Sequence, residues 1–415
     1  MTTEVLMTVL GLAVCVSMSL GQTPASSAAA AQPGQLVLPP SGPLVFVGGS
    51  GCNATNAEAV LREFAAAGFT HSWAGLATEA DRAQLDAAQA LGIKLIYKHQ
   101  DGPATPAEVA RMFKGHPALA GYMLMDEPGA ADFPGLTDQA RAVLKEDPDP
   151  AHVLLVNLYP NGATHEQLGL PPYGVYADYV FKFLSEVPVN LLSYDCYPIK
   201  RLEVVPGWYE NLAVGMQAAR SAKLPLWVWI ASAGMDLSPD PTLGSLRLQA
   251  YNNLAYGATG IEHFTYHNHA GMRQACIERD GSRSPTYYLI QQLHRELQAQ
   301  ASVFVGSLVR RVRWAGTTPP PPQVERYEPR SGILTIDAGN KGAIVSELTK
   351  DTCRFLVIVN QDYLGSMPLS VGWKPGLLMG SVQKDGSVQM IDGAAIQTVV
   401  GPGDALILMC ESKPK

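Results

Sequence analysis

The feature that most constrains this chain is a pattern repeated eight times between about residues 43 and 302. In each repeat an apolar, strand-like run is followed by a polar loop, an amphipathic helical stretch and then the next run. The runs are Leu44–Val47, Phe69–Trp73, Ile93–Tyr97, Leu119–Met125, His152–Leu158, Leu191–Tyr197, Leu226–Ala231 and Gly260–Tyr266. They are short and apolar on both faces, as parallel strands covered by helices must be. The helices are well punctuated. Thr105-Pro106-Ala107-Glu108 combines an N-cap hydroxyl, a proline at the first helical position and a glutamate that reaches back. Alternating β and α with eight strands predicts a closed (β/α)₈ TIM barrel over 43–303. An open doubly wound sheet is the alternative, and no glycine-rich phosphate loop supports it.

After Phe304 the helical periodicity stops. Short β-like runs appear between turns such as Asp385-Gly386, Asp392-Gly393 and Gly401-Pro402-Gly403-Asp404. They predict a small C-terminal antiparallel β-sandwich over 304–415. At the other end, the apolar run Leu6–Leu20 is shorter than the roughly 20 residues a membrane span needs. Small residues follow it. Residues 1–21 therefore read as a signal peptide, which predicts an exported protein, periplasmic or extracellular. Cys15 offers a loose lipoprotein box, the one membrane attachment in view. Residues 22–42, rich in Pro and Ala, read as a disordered tether. The five later cysteines (Cys52, Cys196, Cys276, Cys353 and Cys410) show no metal spacing and read as small buried side chains.

With 47 % apolar residues and a formal charge of -7, the chain has ample core and no basic block. That excludes the counterion-releasing surface of a nucleic-acid binder. The active end of such a barrel is the rim at the carboxyl ends of its strands. The residues predicted there are Trp73, Tyr97, His99, Asp126, Glu127, Asn157, Tyr159, Asp195, Tyr197, Trp229, Tyr266 and His267. Sugars suit a rim of this kind. Their C–H faces stack on aromatic rings, and their hydroxyls pair with Asp, Asn and His. Glycoside hydrolysis needs two carboxyl groups across one bond, about 5–10 Å apart. Glu127, after the apolar run Tyr122–Met125, is the expected acid. Asp195 is the expected partner, with Asp236 in reserve. Glu262 is expected near the barrel floor. No cofactor or metal is expected, although His267 and His269 could join the carboxylates around an ion.

Gly121-Tyr122-Met123-Leu124-Met125-Asp126-Glu127-Pro128 resembles the fourth-strand motif of clan A glycoside hydrolases, retaining (β/α)₈ enzymes that include β-galactosidase-like families. The passage from Leu246 to Tyr266 is similar to their last helix–strand unit. The clan motif is usually Asn-Glu-Pro, and its Glu is the acid/base, which implies that role for Glu127. The chain departs twice. Asp126 stands where the Asn would contact the substrate, and the seventh strand, Trp227 to Gly234, lacks the nucleophilic Glu. The resemblance implies a hydrolase of O-glycosidic bonds with a carbohydrate substrate. Three other readings remain open: a sugar-binding barrel without catalysis, a metal-dependent barrel lyase or isomerase, and a scaffold protein whose rim binds nothing.

Overall fold

The computed structural model describes residues 36–99, 103–330 and 332–411. The signal-peptide stretch and Cys15 lie outside them. Eight parallel strands close into a barrel, each paired with its sequence neighbour, the eighth closing on the first. They are β1 (Val45–Gly48), β2 (His71–Ala74), β3 (Lys94–Lys98), β4 (Leu119–Asp126), β5 (Val153–Leu158), β6 (Leu192–Asp195), β7 (Leu226–Ala231) and β8 (Gly260–Phe264). The helices between and after them are α1 (Ala57–Ala66), α2 (Arg82–Ala90), α3 (Pro106–Phe113), α4 (Phe133–Glu146), α5 (Tyr176–Glu186), α6 (Trp208–Ala222), α7 (Leu243–Ala255) and α8 (Pro285–Ala299). The signals at the start of α3 act as read. Thr105 Oγ1 accepts from the Glu108 N–H at 3.3 Å, and the Glu108 carboxylate accepts from the Thr105 N–H at 2.8 Å.

Strand alternation builds two apolar layers. One face of each strand packs outward under the helices, as with Phe46, Leu95, Tyr97, Tyr122 and Tyr194. The other fills the barrel with Val47, Trp73, Ile96, Met123, Leu155, Trp227 and Trp229. The barrel is a packed core, open to chemistry only at its rim.

The C-terminal region is antiparallel. A six-stranded sheet is built from β9 (Leu308–Ala315), β11 (Ala343–Lys350), β12 (Cys353–Asn360), β14 (Met379–Val382), β15 (Val388–Ile391) and β17 (Ala405–Glu411). A three-stranded sheet holds β10 (Ile333–Asp337), β13 (Met367–Trp373) and β16 (Ala395–Val400). The larger sheet is buried on both faces. Ile344, Leu348, Phe355 and Val357 join the barrel's outer core, whereas Val345, Leu356 and Ile358 pack toward the smaller sheet. This is why β12 reads as an unbroken apolar run instead of an alternating one.

One expectation needs correction. The predicted tether ends early, because Leu36 is 2 % exposed and belongs to the main core. Leu36 is held in the core with Leu38 packed against it, whereas Val37 between them is exposed. All five cysteines of the described residues are buried and free. No helix among those residues is long and apolar enough to cross a membrane.

Candidate active site

The site is built first by an irregularity in β4. Met123 pairs with Leu155 of β5, but the next partner of Asn157 is Asp126, so three residues of β4 oppose two of β5. Such a bulge re-aims the side chains that follow it. Glu127 then takes a left-handed backbone, φ 50°, and its N–H donates to the Asn157 carbonyl at 2.8 Å. Strict alternation would send Asp126 and Glu127 to opposite faces. The bulge and the left-handed turn instead bring both to the same acidic cluster. A second shift in β4 passes through Gly121, φ 147°, where a Cβ would stand 2.0 Å from the Val153 carbonyl oxygen. Only glycine fits that approach.

Asp195 ends β6 at 7 % exposure, and Glu127 is part-buried. Their carboxyl groups are near enough for each to act on the other's ionisation. Burial, then the charge of Asp126, raises the Glu127 pKa above the ordinary carboxylate range, while Asp195 pulls it back in part. Burial, then Glu127 and Asp126, pushes Asp195 well above its ordinary range. Among the described residues, no lysine, arginine or histidine forms an ion pair with Asp126, Glu127, Asp195 or Glu262. Burial and neighbouring carboxyl charge both oppose ionisation here, the setting in which a carboxyl keeps its proton to higher pH.

A polar chain lies beneath. Asn157 Nδ2 donates to Asp126 Oδ1 at 2.9 Å, and Ser193 Oγ lies 3.2 Å from Asn157 Oδ1 and 2.7 Å from Glu262 Oε2. Glu262 is fully buried, and burial raises its pKa to about 8. It therefore stands in the same acidic cluster, coupled to Asp126 and Asp195, and not apart on the barrel floor. The signal was available: Glu262 and Phe264 are two apart on β8 and share the inner face.

An aromatic path leads from the pair. Tyr197 stacks on Phe264 with centroids 5.6 Å apart, Phe264 meets Trp229 edge-on at 6.4 Å, and Trp229 stacks on Trp73 at 5.6 Å. The path runs into a cleft of about 490 Å³ lined by Trp73, Lys98, Trp229, Phe264, His267 and His269 among others. His267 Nε2 lies 2.7 Å from the Ser50 carbonyl oxygen. Tyr159 lies at the rim, part-exposed, close enough for Glu127 to raise its pKa after desolvation. His99 is part-buried beside Tyr97, with 3.5 Å between its Nδ1 and the phenol oxygen.

Two predicted rim residues are not at the rim. Tyr97 is fully buried on the outer face of β3, its hydroxyl donating to the Ala104 carbonyl. Tyr266 is 1 % exposed and meets Phe64 and Phe69 edge-on in the wall under α1. The strand there ends at Phe264, two residues earlier than read, so alternation no longer governs Tyr266. Likewise β6 stops at Asp195, ahead of Pro198, and Tyr197 reaches the cluster from the loop. Asp236 is exposed beyond the end of β7. Among the described residues no group of three or more His, Cys, Asp or Glu is arranged to hold a metal ion.

Fold and site together define a (β/α)₈ barrel with a buried carboxyl pair at the ends of its fourth and sixth strands. No protein-family model matches the chain, and no curated protein matches it in sequence. Solved structures do share its fold. A catalytic mutant of a GH42 β-galactosidase from G. stearothermophilus aligns with TM-score 0.56 and 8 % identity, over 89 % of this chain and 98 % of the other. A GH27 β-L-arabinopyranosidase from Geobacillus stearothermophilus aligns with TM-score 0.50 and 10 % identity, over 90 % and 97 %. At these identities the likeness is one of fold.

Proposed function

We propose that the protein hydrolyses O-glycosidic bonds of a carbohydrate, with Glu127 as the proton donor and Asp195 as the second carboxyl group. The observation that carries this reading is a pair of carboxyl groups at a barrel rim whose ionisation is opposed by burial and by neighbouring carboxyl charge, beside stacked indoles and without a counter-cation among the described residues. With a sugar bound, protonated Glu127 donates to the glycosidic oxygen. That proton moves to the departing oxygen as the C–O bond breaks. Asp195, the more strongly raised of the two in the free protein, must give up its proton as the sugar binds, and as a carboxylate it stands to stabilise or attack the positive anomeric carbon, or to activate water.

The test is release of reducing sugar from a panel of oligosaccharides and aryl glycosides. Glu127→Gln and Asp195→Asn should each lower kcat/KM by about 10²–10⁴-fold, the usual worth of a positioned acid or base. Full activity in either variant would overturn the assignment. One observation favours a second reading, a sugar-binding barrel without turnover: no carboxylate ends β7. Sugar binding with no turnover, unchanged in Glu127→Gln, would establish that reading in its place.

A further inference from the structure

We propose that the cleft beside the Glu127–Asp195 pair takes an acidic sugar, a uronic acid unit, with Lys98 holding its carboxylate. The proposal rests on the carbohydrate reading above and adds the substrate's charge. The chain as a whole is acidic, with a formal charge of -7. The cleft differs: Lys98, His263, His267 and His269 line it, and among the described residues no Asp or Glu does. Lys98 is part-buried at the end of β3 and forms no ion pair among the described residues. An ammonium partly withdrawn from water costs free energy unless an anion meets it. Neither Asp126 nor Glu127, at the end of the adjacent strand, is bonded to it, so among the described residues no anion meets this cation.

Two further observations point to a polar ligand. Trp73 and Trp229 line the same cleft, and their indole N–H groups are buried with no acceptor within the described structure. Buried donors without partners are uncommon and mark where a ligand or water belongs. His267 has a fixed tautomer, because the Ser50 carbonyl can only accept. Its Nε2 therefore carries the proton, and its Nδ1 is left to accept from a sugar hydroxyl. Carboxylate is a better match than sulfate or phosphate. No arginine among the described residues lines the cleft, and the bidentate guanidinium fork is the usual partner of those tetrahedral anions. The aromatic path from Trp73 to Tyr197 would carry the sugar faces from this anion site to the carboxyl pair.

Chemical-shift titration of the Glu127→Gln protein at one fixed pH tests this without turnover. The probes are methyl glucuronide and methyl galacturonide, against methyl glucoside, methyl galactoside and glucose 6-sulfate. The uronides should bind about tenfold tighter than their neutral counterparts, about one desolvated ion pair. In Glu127→Gln/Lys98→Met, which keeps the apolar stem, that preference should fall to near one. Equal affinity for uronides and neutral sugars, or a preference that survives Lys98→Met, overturns the proposal. Tighter binding of the sulfate ester overturns the carboxylate assignment. Wild-type hydrolysis of neutral glycosides with no uronide preference would sink this inference alone. A uronide preference with no hydrolysis of any glycoside would sink the hydrolase reading alone.

Discussion

Glu127 adopts a left-handed backbone that a side chain with a Cβ takes only at a cost of about 1 kcal/mol. The Asn157 carbonyl holds it there by accepting its N–H. Strain of this kind persists where the surroundings impose it, and it gathers at functional positions. The cost and the chemistry should therefore separate on mutation. Glu127→Gly should lose activity and yet gain up to about 1 kcal/mol of stability, read as a higher denaturation midpoint. A destabilised glycine variant would show that the Glu127 side chain supports the fold. At this scale the sequence was legible where one residue type in one place mattered. Asp126-Glu127-Pro128 and Asp195 could be named from strand ends alone. Their nearness to each other was not legible, because it depends on a bulge and a positive φ that no residue pattern in β4 announces.

Between elements, the Asp126–Asn157–Ser193–Glu262 chain ties β4, β5, β6 and β8 together across the barrel. Glu262 has a measurable signature. Its folded pKa is raised to about 8 from an ordinary value of 4.5. Between those values the unfolded chain has released the proton that the folded protein keeps. Stability is therefore greatest on this account below about pH 4.5 and is lost as pH rises through 8. Glu262→Gln should flatten that slope in denaturant midpoints taken from pH 5 to 8, and should be the more stable protein at the alkaline end. An unchanged slope would place the ionisation elsewhere. The elements also show where periodicity misleads. Tyr97 and Tyr266 were read as rim residues from strand-end position, but facing depends on parity and on where a strand stops. Tyr97 has the parity of the helix-covered face, and Tyr266 lies past the end of β8.

For the whole molecule, eight apolar runs separated by well-capped helices made the barrel legible, and the loss of helical period after Phe304 marked the β region. What the sequence did not reveal is how far the two share a core. Ser346 Oγ donates to the Ala255 carbonyl at 2.7 Å, and Arg247 of α7 binds both Glu296 of α8 and Asp404 ahead of β17, at 2.6 and 3.1 Å. All three of those charged side chains are at most 15 % exposed. Arg247→Ala leaves two carboxylates crowded with only Lys384 beside them, and should cost about 3 kcal/mol. A stability change near zero would mean that the β region sits against the barrel without bracing it.

The most direct test of the central claim compares leaving groups in the Glu127→Gln variant. A general acid matters most when the departing oxygen is basic and least when it leaves unaided. On alkyl or unsubstituted sugar leaving groups the variant should lose about 10²–10⁴-fold in kcat/KM. On a dinitrophenyl glycoside, whose phenolate needs no proton, it should keep most of the wild-type rate. Equal losses on both substrates, or no loss on either, would contradict Glu127 as the proton donor.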